Sequence, residues 1–256
     1  MREVPLEFED LLTPRGRRVL AGRHPLCGAL LEPGRRFVAA DDLVNRKKAA
    51  RLRDALDRAL GPHLVEMARI IPPQSITEMR HNYGELLPKT ARVSTVYLDA
   101  ARERGFRAAK ELGLVDLLRS ESLKAFAAAI SGRPLRRQNG IQALCYRPGD
   151  YAGPHNDHHP EDAEAVGGYT DVHLTLCTPS VARQLLVYAK RGHFSEVRDV
   201  ATLGGLTIYR LPFWHYTTPL EARPKHEANA RRWVLLGTFI DAQPDDLRRS
   251  VVSPPI

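Results

Sequence analysis

The chain has 256 residues, 43% of them hydrophobic and 27% charged, which suits one sizeable soluble core or at most two small domains. No stretch nears the ~18 apolar residues of a membrane span, and the start, MREVPLEFEDLLTPRGRRVL, is acidic early and lacks an apolar run, so no secretory signal is expected. The net charge is +8, but the 38 basic residues are scattered and diluted by 30 acidic ones, so a nucleic-acid partner is not expected.

The first forty residues carry no clear period and leave room for one or two strands. From Asp42 to Leu60 the spacing predicts a helix with Leu52, Leu56, Ala59 and Leu60 on one face, ended by Gly61-Pro62. From about Ser94 to Leu118 the pattern is again helical, through Leu98, Ala101, Phe106, Leu112, Val115 and Leu118, with a break at Gly105 or Gly113. Ser120 reads as an N-cap, and Leu123, Phe126, Ala127 and Ile130 follow at i, i+3, i+4 and i+7. Gly132 and Pro134 stop that helix.

The texture changes near residue 133. Strands are predicted at Ile141–Tyr146, Asp171–Thr178, Gln184–Ala189, Leu206–Leu211 and Trp233–Ile240, with turns at Pro148-Gly149-Asp150 and Gly204-Gly205. Strands this close together, with no helical pattern between them, imply a sandwich or barrel. The expectation is an α+β chain forming one compact unit, with a mainly helical region (1–133) packed on a β core (134–256).

The three cysteines, Cys27, Cys145 and Cys177, are odd in number and form no CxxC pair. A disulfide framework and a zinc ribbon are both disfavoured, and a reducing cytoplasm is the expected compartment.

Chemistry enters at His155-Asn156-Asp157. In an extended segment, residues two apart point to the same side. One imidazole and one carboxylate then converge, and a distal histidine would complete a two-His, one-carboxylate facial triad with open metal positions. His159-Pro160-Glu161 matches the same spacing, but its proline disfavours a central strand. Upstream lies Tyr146-Arg147-Pro148-Gly149-Asp150, a strand end and a tight turn. Downstream come Phe213-Trp214-His215 with Pro219, and then Arg231-Arg232 at the mouth of an apolar strand. Parity also puts His173, Thr175 and Cys177 on one face of their strand, where His173 could hydrogen-bond a cosubstrate or a substrate. Trp214 is expected in the packing around the site, and His24, His63, His81, His193 and His226 have no partner pattern.

Taken in order, these motifs resemble the catalytic core of the Fe(II)/2-oxoglutarate-dependent dioxygenases, closest to the prolyl-hydroxylase-like branch. The resemblance runs from about Ile141 to Asp241. It implies a double-stranded β-helix (jelly-roll) fold and a metal held by His155, Asp157 and His215. It implies cosubstrate binding by Arg232, with Tyr146 and His173 near the cosubstrate. It further implies an oxygenase that uses Fe(II), 2-oxoglutarate and O2 to hydroxylate a small-molecule or peptidyl substrate, releasing succinate and CO2. A planar guanidinium suits the distal carboxylate of 2-oxoglutarate. Two departures bear on the likeness, and one absent feature bears on a rival branch. The interval from His215 to Arg232 is long and holds an inserted ARPKHEAN loop, which leaves Arg231 as the alternative ligand. Ala182-Arg183-Gln184 stands where relatives carry a Gly-Gly pair. Thr238 stands where nucleic-acid demethylases carry a second arginine. A cupin-like enzyme or a non-catalytic metal-binding jelly roll would not need Arg232.

Overall fold

The computed structural model describes residues 4–70, 90–98, 101–157, 168–190 and 193–242. In chain order they form α1 (Pro14–Leu20), β1 (Phe37–Ala40), α2 (Arg46–Ala59), β2 (Val65–Ile70), β3 (Thr90–Val96), α3 (Arg104–Leu112), α4 (Leu114–Leu118) and α5 (Glu121–Ser131). The remainder is β4 (Leu135–Tyr146), β5 (Tyr151–Ala152), β6 (Tyr169–Cys177), β7 (Val181–Arg183), β8 (Leu185–Lys190), β9 (His193–Asp199), β10 (Leu203–Arg210), β11 (His215–Thr217), β12 (Glu221–Ala222) and β13 (Arg232–Asp241).

An eight-stranded sheet runs β1-β10-β6-β13-β4-β3-β2, with β5 beside β3, and faces a three-stranded sheet, β11-β8-β9. β12 and β7 make a separate pair. All pairings are antiparallel. The result is α+β: a double-stranded β-helix with helices on the outer face of its larger sheet.

Strand parity divides the larger sheet. On β13, Trp233, Leu235 and Phe239 join the core shared with α2, α4 and α5. The alternate residues Arg232, Val234, Leu236 and Thr238 line a cavity inside the β-helix. β6 is buried on both faces for the same reason. β9 at the sheet edge alternates between exposed and half-buried residues, as a strand covered on one side should.

The helices form where the local signals place them. Asn45 caps α2 by accepting from the amides of Lys47 and Lys48, and Leu52, Leu56 and Leu60 are fully buried. Ser120 caps α5 by accepting from the Leu123 amide, and Gly132 closes it in the left-handed conformation. Residues 94–118 depart from the expected helix. β3 extends to Val96, pairs β2 on one side and β4 on the other, and the helical run then divides into α3 and α4 at Gly113, whose φ is 90°. β-branched Val93, Thr95 and Val96 favour a strand, and ladder partners on both sides at Ser94 and Thr95 override the apolar spacing. Cys145 and Cys177 are buried free thiols, pushed up to about 12 by desolvation, and so inert. Among the described residues no helix is long and apolar enough to cross a membrane.

Candidate metal centre

The centre sits where two short segments meet. His155 and His215 face each other across an isolated antiparallel bridge, with both amides bonded to the opposite carbonyls at 3.0 and 2.9 Å. The bridge brings the rings to 4.3 Å between centroids. Each Nδ1 lies 2.6 Å from the carbonyl two residues earlier, Gly153 for His155 and Phe213 for His215. A carbonyl only accepts, so each Nδ1 carries a proton and each Nε2 is the ring nitrogen left to face a metal. Both Nε2 atoms turn toward Asp157, at 3.3 Å from Oδ1 for His155 and 3.6 Å from Oδ2 for His215. One ligand atom from each of the three residues lies within 4.8 Å of the others.

Asp157 reaches this position in a way that strand parity does not describe. Its φ is 53°, in the left-handed region that a non-glycine residue rarely adopts. The segment therefore turns at Asp157 instead of continuing extended, and this turn aims the carboxylate back at the two imidazoles. Backbone strain concentrated at one side chain of such a cluster fits a functional constraint.

The Pro148-Gly149-Asp150 turn fastens the pieces. Asp150 accepts from the Arg147 amide at 2.8 Å and pairs with Arg92 at 3.3 Å. Gly149 has φ of 83°, and a Cβ there would lie 2.5 Å from the Arg92 guanidinium. The amide of Gly149 donates to Leu220 and that of Leu220 to Asp150, both at 2.9 Å. The end of β4 is thereby clamped to the segment just after β11, which carries His215.

The three residues open on a cavity of about 180 Å³. Tyr146, His173 and Arg232 line the same cavity. Arg232 is 3% exposed. It donates to Gln184 Oε1 at 2.9 Å and to Thr175 Oγ1 at 3.4 Å, and its guanidinium lies 5.2 Å from the Tyr146 ring centroid. Its Nε has no partner, and among the described residues no carboxylate pairs with it. Arg231 points the other way, to Asp57 on α2 at 3.4 Å. Asp57 also accepts from Trp233 Nε1 at 2.9 Å, so residues 231 and 233 are both held outward and parity turns 232 inward.

The sequence marked Gln184 only as part of the stretch that replaces a Gly-Gly pair, not as a partner of Arg232. It is fully buried and donates through Nε2 to the carbonyls of Asp150 and Thr218. Those two bonds fix the amide so that Oε1 faces Arg232. Trp214 is a correction: Phe213, not Trp214, stacks under His215, at 5.4 Å and 22°. Trp214 lines a separate outer groove with Phe37 and Tyr188. His158, His159 and His81 lie outside the described residues.

Comparison with known proteins bears on the fold. No protein-family model and no curated protein matches the sequence. Among solved structures, an oxidoreductase of the 2OG-Fe(II) oxygenase family from Burkholderia pseudomallei is 14% identical, with a TM-score of 0.52 over 88% of this chain and 90% of that one. The chain has the fold of a 2-oxoglutarate/Fe(II) oxygenase. A prolyl-4-hydroxylase from Pseudomonas putida is 13% identical, with a TM-score of 0.48 over 89% of this chain and 100% of that one.

Burial sets the protonation of the centre. Desolvation, reinforced by the neighbouring His155 and opposed by Asp157, holds the His215 imidazole down at about 3. It is therefore neutral at pH 7 and can take a cation without first losing a proton. The stability consequence has a definite sign. The unfolded histidine binds a proton below about 6.5, and the folded one does not until about 3. Stability is full above pH 6.5 and falls as pH drops through that window. Between pH 7 and pH 5 this one group should cost the metal-free protein about 2 kcal/mol. Urea unfolding in EDTA checks it: the loss should shrink by that amount in His215→Gln, and equal losses in both proteins would refute it.

Proposed function

We propose that this protein is an Fe(II)- and 2-oxoglutarate-dependent oxygenase acting on a small-molecule or peptidyl substrate. One observation carries the reading. The cavity that holds a two-His, one-carboxylate cluster also holds a buried arginine with no anionic partner among the described residues. A buried cation without an anion costs several kcal/mol, so its retention points to an anion that arrives from outside.

The residues fit the two groups. His155 and His215, with Asp157, are the donor set of a facial iron site; the Nδ1 bonds to Gly153 and Phe213 orient the rings and turn each Nε2 to the metal position. Arg232 has five N–H donors, and Gln184 and Thr175 take two, leaving enough for a bidentate carboxylate. When bound, iron and 2-oxoglutarate supply O2-dependent oxidation of a substrate, with release of succinate and CO2.

The chain's own contribution is position and dryness. Gln184, anchored to two carbonyls, keeps the guanidinium from swinging away. The Tyr146 hydroxyl, its pKa raised by burial, stays protonated and bonds toward Thr217. Leu144, Leu186, Val234 and Leu236 exclude water from the cavity wall, which strengthens each charge-assisted contact. In this reading the helices of residues 1–133 brace the β core of 134–256, and β1, β2 and β3 extend its larger sheet. Thr238, on β13 where a second arginine would serve a phosphate backbone, speaks for small or peptidyl substrates over nucleic acid.

The test is an anaerobic titration with Fe(II) and 2-oxoglutarate, read by visible absorption. A metal-to-ligand charge-transfer band that needs both additions is the expected result. Iron binding with no band would move the protein to a cupin-like reading, and no iron binding would remove the metal-centre assignment.

A further inference from the structure

Two polar groups in the same cavity are not used above. Asp171 on β6 is 5% exposed and lines the cavity. Its Oδ1 has no hydrogen-bond partner. Its Oδ2 lies 3.7 Å from Nε2 of His173, too far for a hydrogen bond. That Nε2 is itself buried without a partner. Among the described residues no lysine or arginine pairs with Asp171. The nearby Arg210 is turned to the other face of the sheet, where it pairs with Asp241 at 3.3 Å.

Their place in the sheet separates them from the cosubstrate end. β13 puts Arg232 opposite Cys177 and Thr238 opposite Asp171. The Arg232 guanidinium reaches Thr175, four residues from Asp171 on β6 and so about 13 Å along the strand. The cavity therefore has a lone cation at one end and a lone carboxylate at the other. A dicarboxylate anchored on Arg232 has no reason to approach Asp171. The Tyr209 ring links this end to the metal centre, 4.5 Å from the His173 ring and 5.1 Å from the His215 ring.

An unpaired buried carboxylate is costly unless a cation or strong donor completes it. His173 beside it offers a second acceptor at Nε2. Leu186, Leu211 and Tyr169 supply apolar walls, and Gln142 and Thr238 add neutral polar groups at the same end. We propose that Asp171 and His173 form a subsite for the protonated amine of the substrate. The pair selects a small amino compound, or a peptide presenting an amine, over a neutral alcohol or an acid, and it repels anionic polymers. Its role in turnover rests on the oxygenase reading; the binding itself does not.

Calorimetry on the metal-free protein tests it with matched probes: butylamine against butanol, pyrrolidine against tetrahydrofuran, and lysine methyl ester against norleucine methyl ester. Each amine should bind at least about tenfold more tightly than its neutral partner, the range of one charge-assisted hydrogen bond. Asp171→Asn should erase the preference and leave 2-oxoglutarate affinity in the iron-loaded protein within about twofold; His173→Gln should weaken the preference in part. Neutral probes binding as well as amines, no amine binding at all, or a preference that survives in Asp171→Asn overturns the proposal. The unsubstituted chain decides the first two outcomes even if neither variant folds. Amine preference without a charge-transfer band would sink the oxygenase reading alone, and a band without amine preference would sink this subsite alone.

Discussion

Replacing Asp157 by glycine should abolish iron binding and leave the fold almost as stable as before. The two effects have separate causes. The carboxylate is the one anionic group of the cluster, within 3.3 and 3.6 Å of the two imidazoles. Without it, two imidazoles remain to hold a dication. Losing an outer partner of a metal ligand costs 10–100-fold in affinity, and losing a charged ligand should exceed that. On the stability side, Asp157 sits at φ 53°, and relief of a left-handed L-residue contributes about 1 kcal/mol. Glycine's extra freedom in the unfolded chain removes about 0.5–1 kcal/mol. The terms nearly cancel, so the metal-free variant should unfold within about 1 kcal/mol of the native protein. Iron content after dialysis and urea unfolding in EDTA read the two sides independently. A variant that retains one iron per chain would remove Asp157 from the centre, and a variant that loses iron only because it unfolds would be destabilised in EDTA by well over about 1 kcal/mol.

The same residue shows where the sequence is informative and where it is silent. His-x-Asp spacing marks the pair, but the extended-strand geometry expected for it is not what brings the side chains together. The turn at Asp157 does, and a left-handed φ at an aspartate leaves no periodic trace. The long helices and the five predicted strands were legible because one or both of their faces are buried, which imprints period 3.6 or continuous apolar runs. β2, β9 and β11 were not, since they lie at edges or are too short for a period to register. β3 was misread because its ladder partners, distant in sequence, decide its conformation. The choice between Arg231 and Arg232 was open in sequence; Asp57, more than 170 residues earlier, settles the facing of β13 by holding Trp233 and Arg231 outward. The role of Gln184 was invisible for a related reason: a single buried amide takes its meaning only from the three groups that the fold brings to it.

Arg232→Met should lower 2-oxoglutarate affinity by 10²-fold or more while leaving iron binding intact. A carboxylate on the guanidinium would gain two charge-assisted bonds, each contributing about 1.5–3 kcal/mol, and methionine keeps the length of the side chain but none of the donors. Arg232→Lys should fall between, because a point charge keeps attraction but loses the fork. The effect on the protein without cosubstrate separates this account from a structural one. If Arg232 served the fold, its removal should destabilise. Here two terms compete. Methionine leaves Gln184 Oε1 without its donor at 2.9 Å, costing about 1–3 kcal/mol. It also removes a cation that is 3% exposed and has no anion beside it among the described residues, a burial that costs several kcal/mol. The second term is the larger, so the variant without cosubstrate should be at least as stable as the native chain. The native chain should then gain stability on adding 2-oxoglutarate, as any ligand of the folded state requires, and the methionine variant should not. Thermal unfolding of both proteins, with and without 2-oxoglutarate, gives the four values needed. Equal stabilisation of the two by 2-oxoglutarate would place its carboxylate elsewhere, and a marked loss of stability without it would make Arg232 a fastener of β13 to Gln184 instead of a receptor for an anion.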